Sequence, residues 1–172
     1  VGIPNVGKST FINSFAGKAC AKTGNKPGVT KNKQWIRLTS NVELLDTPGV
    51  LWPKFESEEV ALHLCFTGSI KEEILDKVEI AYQLTKFLLE NYRIKLCERY
   101  KIENEDIERI LGQDQPENNN IYEIMLEIGK KRGCIMAGGR IDEEKTSRLI
   151  LDEFKNGKLG KITIECPFGN VS

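Results

Sequence analysis

The sequence predicts an α/β unit in its first part and a small all-helical unit after it, and three observations carry that expectation. The opening residues hold Gly2-x-x-x-x-Gly7-Lys8-Ser9 at the head of an amphipathic run. A strand-like segment further on ends in Asp46-x-x-Gly49, and from about residue 70 the apolar residues recur at helical spacing.

The first stretch is a phosphate cradle. Gly2 and Gly7 let the backbone wrap an anion, amide N–H groups turn toward phosphate oxygens, and a helix starts at the lysine. Lys8 would reach the β- and γ-phosphates, and the Ser9 hydroxyl would ligate Mg²⁺. Ser9 to Gly17 supplies Phe11, Ile12 and Phe15 as one apolar helical face. Only Val1 stands where a strand of roughly five residues should deliver the loop, and no Met opens the chain. The sequence therefore reads as part of a longer protein.

Residues 18–31 form a loop broken by Gly24, Pro27 and Gly28, in the place of a nucleotide-sensing switch. Thr30 is its sharper candidate for completing Mg²⁺ coordination when a γ-phosphate is present. Thr23 competes on chemistry alone. Gln34 to Leu38 and Asn41 to Leu45 read as two short strands around Thr39-Ser40. The second delivers Asp46, and an acidic residue at the end of a buried strand is costly unless it meets a cation or donors. Asp46 is thus placed to hold Mg²⁺ through a water, and Gly49 offers an unobstructed N–H to the γ-phosphate. A helix over Glu58 to Phe66 follows. Glu56, Glu58 and Glu59 could steer a water, but first-turn helix charge is their simpler role. His63, the single histidine, sits among Val60, Leu62, Leu64 and Phe66 and reads as a packing or surface residue.

In the second half, Asp76 caps a helix running toward Tyr92, with Val78, Ala81, Leu84, Phe87, Leu88 and Leu89 on a broad apolar face. Asn104 precedes a short helix carrying Ile107, Ile110 and Leu111 and stopped by Gly112. After a polar link over 113–119, Asn120 and Glu123 suggest a capping box ahead of Ile121, Ile124, Met125 and Ile128. Asp142 caps a helix reaching Phe154, with Leu149, Ile150 and Phe154 inward, and Ile162 to Glu165 suggests a terminal strand. Basic loops at Lys130–Arg140 and Lys155–Lys161 carry glycines, which allow close approach to a phosphate backbone. Exposed loops hold such residues in any case.

The formal net charge is zero but unevenly spread. Residues 1–40 carry seven Lys/Arg and no Asp or Glu, whereas residues 98–127 carry nine acidic and three basic residues. Positive charge beside the cradle suits a polyphosphate, and a solvated face is the plainer alternative. The five cysteines show no paired metal-ligand spacing, which argues against structural zinc, and their odd number favours a reducing compartment. No apolar run approaches the roughly 20 residues that span a bilayer.

Gly2 to Thr10, Pro27-Gly28-Val29-Thr30 and Asp46-Thr47-Pro48-Gly49 resemble the first three motifs of a translation-factor-type GTPase. The continuation Val50-Leu51-Trp52-Pro53-Lys54-Phe55-Glu56, with Lys131-Arg132-Gly133-Cys134 and Gly157-Lys158-Leu159-Gly160, is similar to the ribosome biogenesis GTPase A family, over essentially the whole chain. The resemblance implies a circularly permuted G domain of which residues 1–69 are the P-loop half. Residues 70–172 would be an all-helical C-terminal domain that contacts ribosomal RNA. It implies GTP or GDP held by Asn5, Val6, Gly7, Lys8, Ser9, Thr10, Thr30 and Gly49, with Mg²⁺ at Ser9, Thr30 and, through water, Asp46.

Two absences qualify it. No Asn/Thr-Lys-x-Asp stretch, whose carboxylate reads guanine, follows Asp46; in the permuted family that motif precedes the P-loop. Val50 occupies the position where Ras-like GTPases carry a water-orienting glutamine, and a valine cannot orient water. The catalytic group is thus left unnamed by these residues. Family members with a hydrophobic residue there implicate a monovalent cation, and Asn5 resembles the asparagine that coordinates K⁺ in them. The implied protein is a monomeric cytoplasmic GTPase assisting late maturation of the large ribosomal subunit, with no membrane partner. A P-loop ATPase, and a nucleotide-gated ribosomal RNA-binding protein with negligible turnover, are the alternatives.

Overall fold

The computed structural model describes residues 1–51, 55, 57–70, 76–113 and 116–165. They fall into two compact units, Val1–Ile74 and Leu75–Ser172.

In the first unit α1 (Lys8–Ala16) leads to a hairpin of β1 (Gln34–Arg37) and β2 (Glu43–Asp46), and then to α2 (Glu58–Phe66). The strands pair antiparallel with Ile36 opposite Leu44, Trp35 opposite Leu45 and Arg37 opposite Glu43. Because side chains alternate across a sheet, Ile36 and Leu44 turn to one face, where they pack with Ile12, Ala21, Cys20 and Leu38. Trp35 and Leu45 point the other way and stay exposed. The apolar face expected of α1 is only partly realised. Ile12 is buried, whereas Phe11 and Phe15 are exposed and stack on each other with centroids 6.0 Å apart. The hairpin reaches only one side of this short helix, and the rings lie beyond it. Ser57 caps α2 by accepting from the Val60 amide, and Glu58 and Glu59 occupy its first turn. His63 is half-buried, its ring 6.1 Å from that of Phe66. Glu56, Trp52, Pro53 and Lys54 lie outside the described residues.

Among the described residues the second unit is four helices: α3 (Lys77–Tyr100), α4 (Asn104–Leu111), α5 (Glu117–Lys131) and α6 (Glu143–Lys155). Asp76 caps α3 by accepting from Val78 and Glu79, and Asp142 caps α6 by accepting from Lys145. The stripe Ile121, Ile124, Met125 and Ile128 is buried as expected, as are Leu84, Leu88, Leu96, Ile107 and Ile150 on the helices α5 meets. Helices α5 and α6 come close at Gly129, where a Cβ would lie 2.8 Å from Ile141 Cγ2 and closer still to Thr146 Oγ1.

Four expectations are corrected. Helix α3 does not stop at Tyr92: it bends there, with φ −141° and ψ 34°, and continues to Tyr100. Asn104 is the first residue of α4, and Glu103 is its cap position. No capping box forms at Asn120, because α5 starts a turn earlier after Pro116. Asn120 is buried instead, its amide donating to the Leu111 carbonyl at 3.4 Å. Residues 161–165 form no strand. The Tyr92 hydroxyl engages both backbone groups of Thr163, the amide at 3.0 Å and the carbonyl at 2.9 Å, which are the groups a strand neighbour would need.

Polar burial in this unit centres on Glu153, 4% exposed on α6. It accepts from Arg99 Nε at 2.9 Å and from Arg132 Nη2 at 2.6 Å. Burial raises its carboxyl pKa, but the hydrogen bond from Arg99 and the charges of Arg132 and Arg99 outweigh that and hold it below the usual glutamate range. Arg132 is therefore ion-paired to a buried carboxylate although it reaches solvent, as do Lys130, Lys131 and Arg140 of the same basic stretch.

Candidate nucleotide-binding site

The cradle is set by backbone conformation. Gly7 adopts a left-handed conformation (φ 85°) at the start of α1, and no side chain caps that helix. The amides of its first turn have no partner further up the helix, and they open toward the loop. Asn5 is also left-handed, φ 58°, a conformation asparagine tolerates better than most residues. Its Nδ2 faces Asn25 Oδ1 at 3.3 Å and the carbonyls of Gly68 and Thr67 at 3.4 and 3.5 Å. Lys8 arches back over the loop, its ammonium donating to the carbonyls of Ile3 at 2.6 Å and Gly2 at 3.1 Å.

The structure brings together the three groups expected at magnesium. Ser9 Oγ donates to Asp46 Oδ2 at 3.0 Å and stands 3.1 Å from Thr30 Oγ1, which is 3.4 Å from the same carboxylate oxygen. Asp46 is 2% exposed, and its second oxygen, Oδ1, is buried with no hydrogen-bond partner. An ionised oxygen in that position costs free energy unless a cation or donor meets it. Two hydroxyls and one carboxylate are hard oxygen ligands of the kind Mg²⁺ takes alongside water and substrate phosphates. Among the described residues no three His, Cys, Asp or Glu cluster, so a metal here would rest on this set and on phosphate rather than on an all-protein cage. The residues present fit Mg²⁺.

Gly49 lies directly against the loop: a Cβ on it would come within 2.5 Å of Pro4 N. The next residue donates its amide to the Gly2 carbonyl at 3.3 Å, and its side chain, Val50, is 67% exposed. A cleft of about 430 Å³, well within the size of small-ligand sites, is lined by Pro4 to Thr10, Gly49 and the loop that holds Thr23 and Thr30. Lys22 and Lys26 add positive charge to its wall. Thr30, and not Thr23, is the threonine that reaches Ser9 and Asp46. Sequence reasoning missed Asn13, whose side chain accepts from the amides of Cys20 and Ala21 at 3.0 and 2.7 Å and donates to the Ala21 carbonyl at 2.8 Å. It pins the loop as it leaves α1; an asparagine one turn from a helix end was its only trace.

The family model described as 50S ribosome-binding GTPase matches residues 1–126. The chain belongs to that family. Within it, the likeness to ribosome biogenesis GTPase A is borne out. The protein of that name from Bacillus cereus is 50% identical over 167 residues, covering 97% of this chain and 52% of the relative. The Thermotoga maritima protein of the same name is 33% identical, covering 97% and 55%. The chain thus spans about half the length of the curated relatives it matches. Among solved structures, a GDP-bound structure of TM YlqF aligns with a TM-score of 0.57 and 28% identity, over 96% of this chain and 58% of that one. GNP-bound YlqF from T. maritima gives 0.56 and 28%, over 96% and 57%. The α/β unit followed by helices is the arrangement these relatives share.

Proposed function

We propose that this chain forms the phosphate-binding half of a permuted GTPase that binds and hydrolyses GTP while assisting late maturation of the large ribosomal subunit. The observation that carries the proposal is the convergence of Ser9, Thr30 and Asp46, with a buried carboxylate oxygen that has no hydrogen-bond partner among the described residues. Asn5 to Thr10 would hold the phosphates, Lys8 would neutralise them, and Gly49 would offer its amide to the γ-phosphate. Mg²⁺ held by Ser9, Thr30 and, through water, Asp46 would supply electrostatic stabilisation of phosphate charge. The carboxamide oxygen of Asn5 is a hard ligand suited to K⁺, whose charge would oppose that growing on the phosphates.

Residues 1–69 serve this nucleotide part, and residues 70–172 the contact with the subunit precursor and its RNA. Lys130, Lys131, Arg140 and Lys158 are exposed there for phosphate contacts. The likeness to relatives named for ribosome biogenesis supports that partner. The proposed setting is the cytoplasm, with the protein acting as a monomer; among the described residues no helix is long and apolar enough to cross a membrane. The test is phosphate release by the full-length protein with and without large subunits, in K⁺ and in Na⁺. Stimulation by subunits, larger in K⁺, is expected, and preference for ATP in nucleotide competition would reject the assignment.

The exposure of Val50 favours one second reading. With no hydrogen-bonding group beside Gly49, the nucleotide would gate ribosomal RNA docking with negligible turnover. Release that stays unstimulated in every combination, alongside GTP-dependent docking, would select it.

A further inference from the structure

Pro4, in the middle of the phosphate loop, is met by two stretches of chain, one before α2 and one after it. Before α2, Gly49 packs on the Pro4 backbone so closely that no side chain fits between them, and the Val50 amide donates to Gly2 at 3.3 Å. Past α2, Ser69 donates its hydroxyl to the Pro4 carbonyl at 3.1 Å. Ser69 is 1% exposed, and its oxygen stands 3.2 Å from Thr67 Oγ1. Thr67 Oγ1 in turn lies 3.1 and 3.2 Å from the carbonyls of His63 and Leu64 in the last turn of α2. The carbonyls of Thr67 and Gly68 meet the side chain of Asn5 next to Pro4. With the Ser69 proton on Pro4, the Thr67 hydroxyl donates to Ser69 Oγ and the Thr67 amide donates to the His63 carbonyl at 3.1 Å as α2 ends, so a path runs from the end of α2 through Thr67 and Ser69 into the loop that Gly49 also meets.

We propose that Ser69 is a positioning residue for the phosphate loop, anchoring the end of α2 to Pro4 so that displacement of α2 alters how the loop holds nucleotide. This rests on the reading of the cleft as a nucleotide site. Pro4 immediately precedes Asn5, whose left-handed backbone aims the following amides, so a shift of its carbonyl reorients them. Because Gly49 grips the same residue, loosening the Ser69 contact also frees the amide offered to a γ-phosphate. The consequence is regulatory: a partner that pushes on α2 acts on nucleotide retention without touching the cleft.

Ser69→Ala in the full-length protein removes the hydroxyl and adds no atoms. We expect release of a non-hydrolysable GTP analogue about five-fold faster, the loss of one buried hydrogen bond, with a smaller change for GDP. Thr67→Val should shift the same ratio, and the double variant should be less than additive, since both sit on one path. Unchanged release of both nucleotides with only a lowered melting temperature would overturn the proposal and leave the nucleotide site standing. Amide hydrogen exchange at Val6 to Ser9 in nucleotide-free protein reads the same linkage independently of ligand. Faster exchange in Ser69→Ala is expected, and exchange equal to wild type overturns the role even if no nucleotide binds.

Discussion

Replacing Asp46 by asparagine separates a metal ligand from a residue that merely shapes the loop. The side chain is nearly isosteric, so packing around a group 2% exposed is retained. The amide oxygen still accepts from Ser9, now at 3.0 Å from Asp46 Oδ2. What disappears is the negative charge, together with the oxygen that has no partner among the described residues. A hydrogen bond to a charged group contributes ~1.5–3 kcal/mol. At ~1.4 kcal/mol per decade this is a loss of about 10- to 150-fold in affinity for Mg²⁺·GTP. In EDTA the sign reverses, because the carboxylate would then only repel the phosphates, and affinity should hold or rise. The nucleotide-free protein should gain ~1 kcal/mol, since a charge no longer has to be buried without a cation. Fluorescent-nucleotide titrations in Mg²⁺ and in EDTA, with a denaturant melt of the free protein, measure all three. Equal weakening with and without Mg²⁺ would show that Asp46 acts through loop geometry, and the metal assignment would fall.

Lys8→Ala should cut affinity for GTP and GDP by about 100-fold, a charge-assisted phosphate contact being among the stronger ones, and isothermal titration of the full-length protein checks it. Gly129→Ala forces a methyl against Thr146 and Ile141 and should destabilise the helical unit by ~1–3 kcal/mol in a urea melt, with nucleotide affinity unchanged. Glu153→Gln strands Arg99 and Arg132. Both arginines reach solvent, so the cost should be ~2 kcal/mol, below that of a fully buried pair. The Glu153 pKa is lowered in the folded state. Its stabilisation is thus present above the unfolded value of ~4.3 and lost as pH falls through the lower folded value, so the Gln variant should show a flatter acid limb.

Most of the candidate site is legible because its pattern is local in sequence, and the structure brings Ser9, Thr30 and Asp46 together. Lys8, Ser9 and Asp46 could be read from the motif and from the cost of ending a strand on a carboxylate, and the caps at Asp76 and Asp142 from side chains that bond amides two or three residues on. What was not legible depends on distant partners. In the sequence Arg132 reads as one more basic loop residue, because its partner Glu153 lies 21 positions later. In the stretch expected as a strand from Ile162, the backbone groups of Thr163 are taken by Tyr92, 71 positions earlier, which no alternation of residues in the stretch itself could signal. Asn120 carried the chemistry of a cap, but Pro116, with its fixed φ, sets the start of α5 upstream of it. Phe11 and Phe15 satisfied helical spacing, yet periodicity identifies a face without saying whether anything in the chain covers it.

The guanidinium of Arg132, tied to Glu153, changes what ionic strength should do to the second unit. A polyanion releases one condensed counterion for each phosphate that a free cation neutralises, and the slope of log affinity against log salt counts those events. An arginine already neutralised by an internal carboxylate releases little, so the Lys130–Arg140 stretch should give a shallower slope than its tally of basic letters suggests. Glu153→Gln should steepen it.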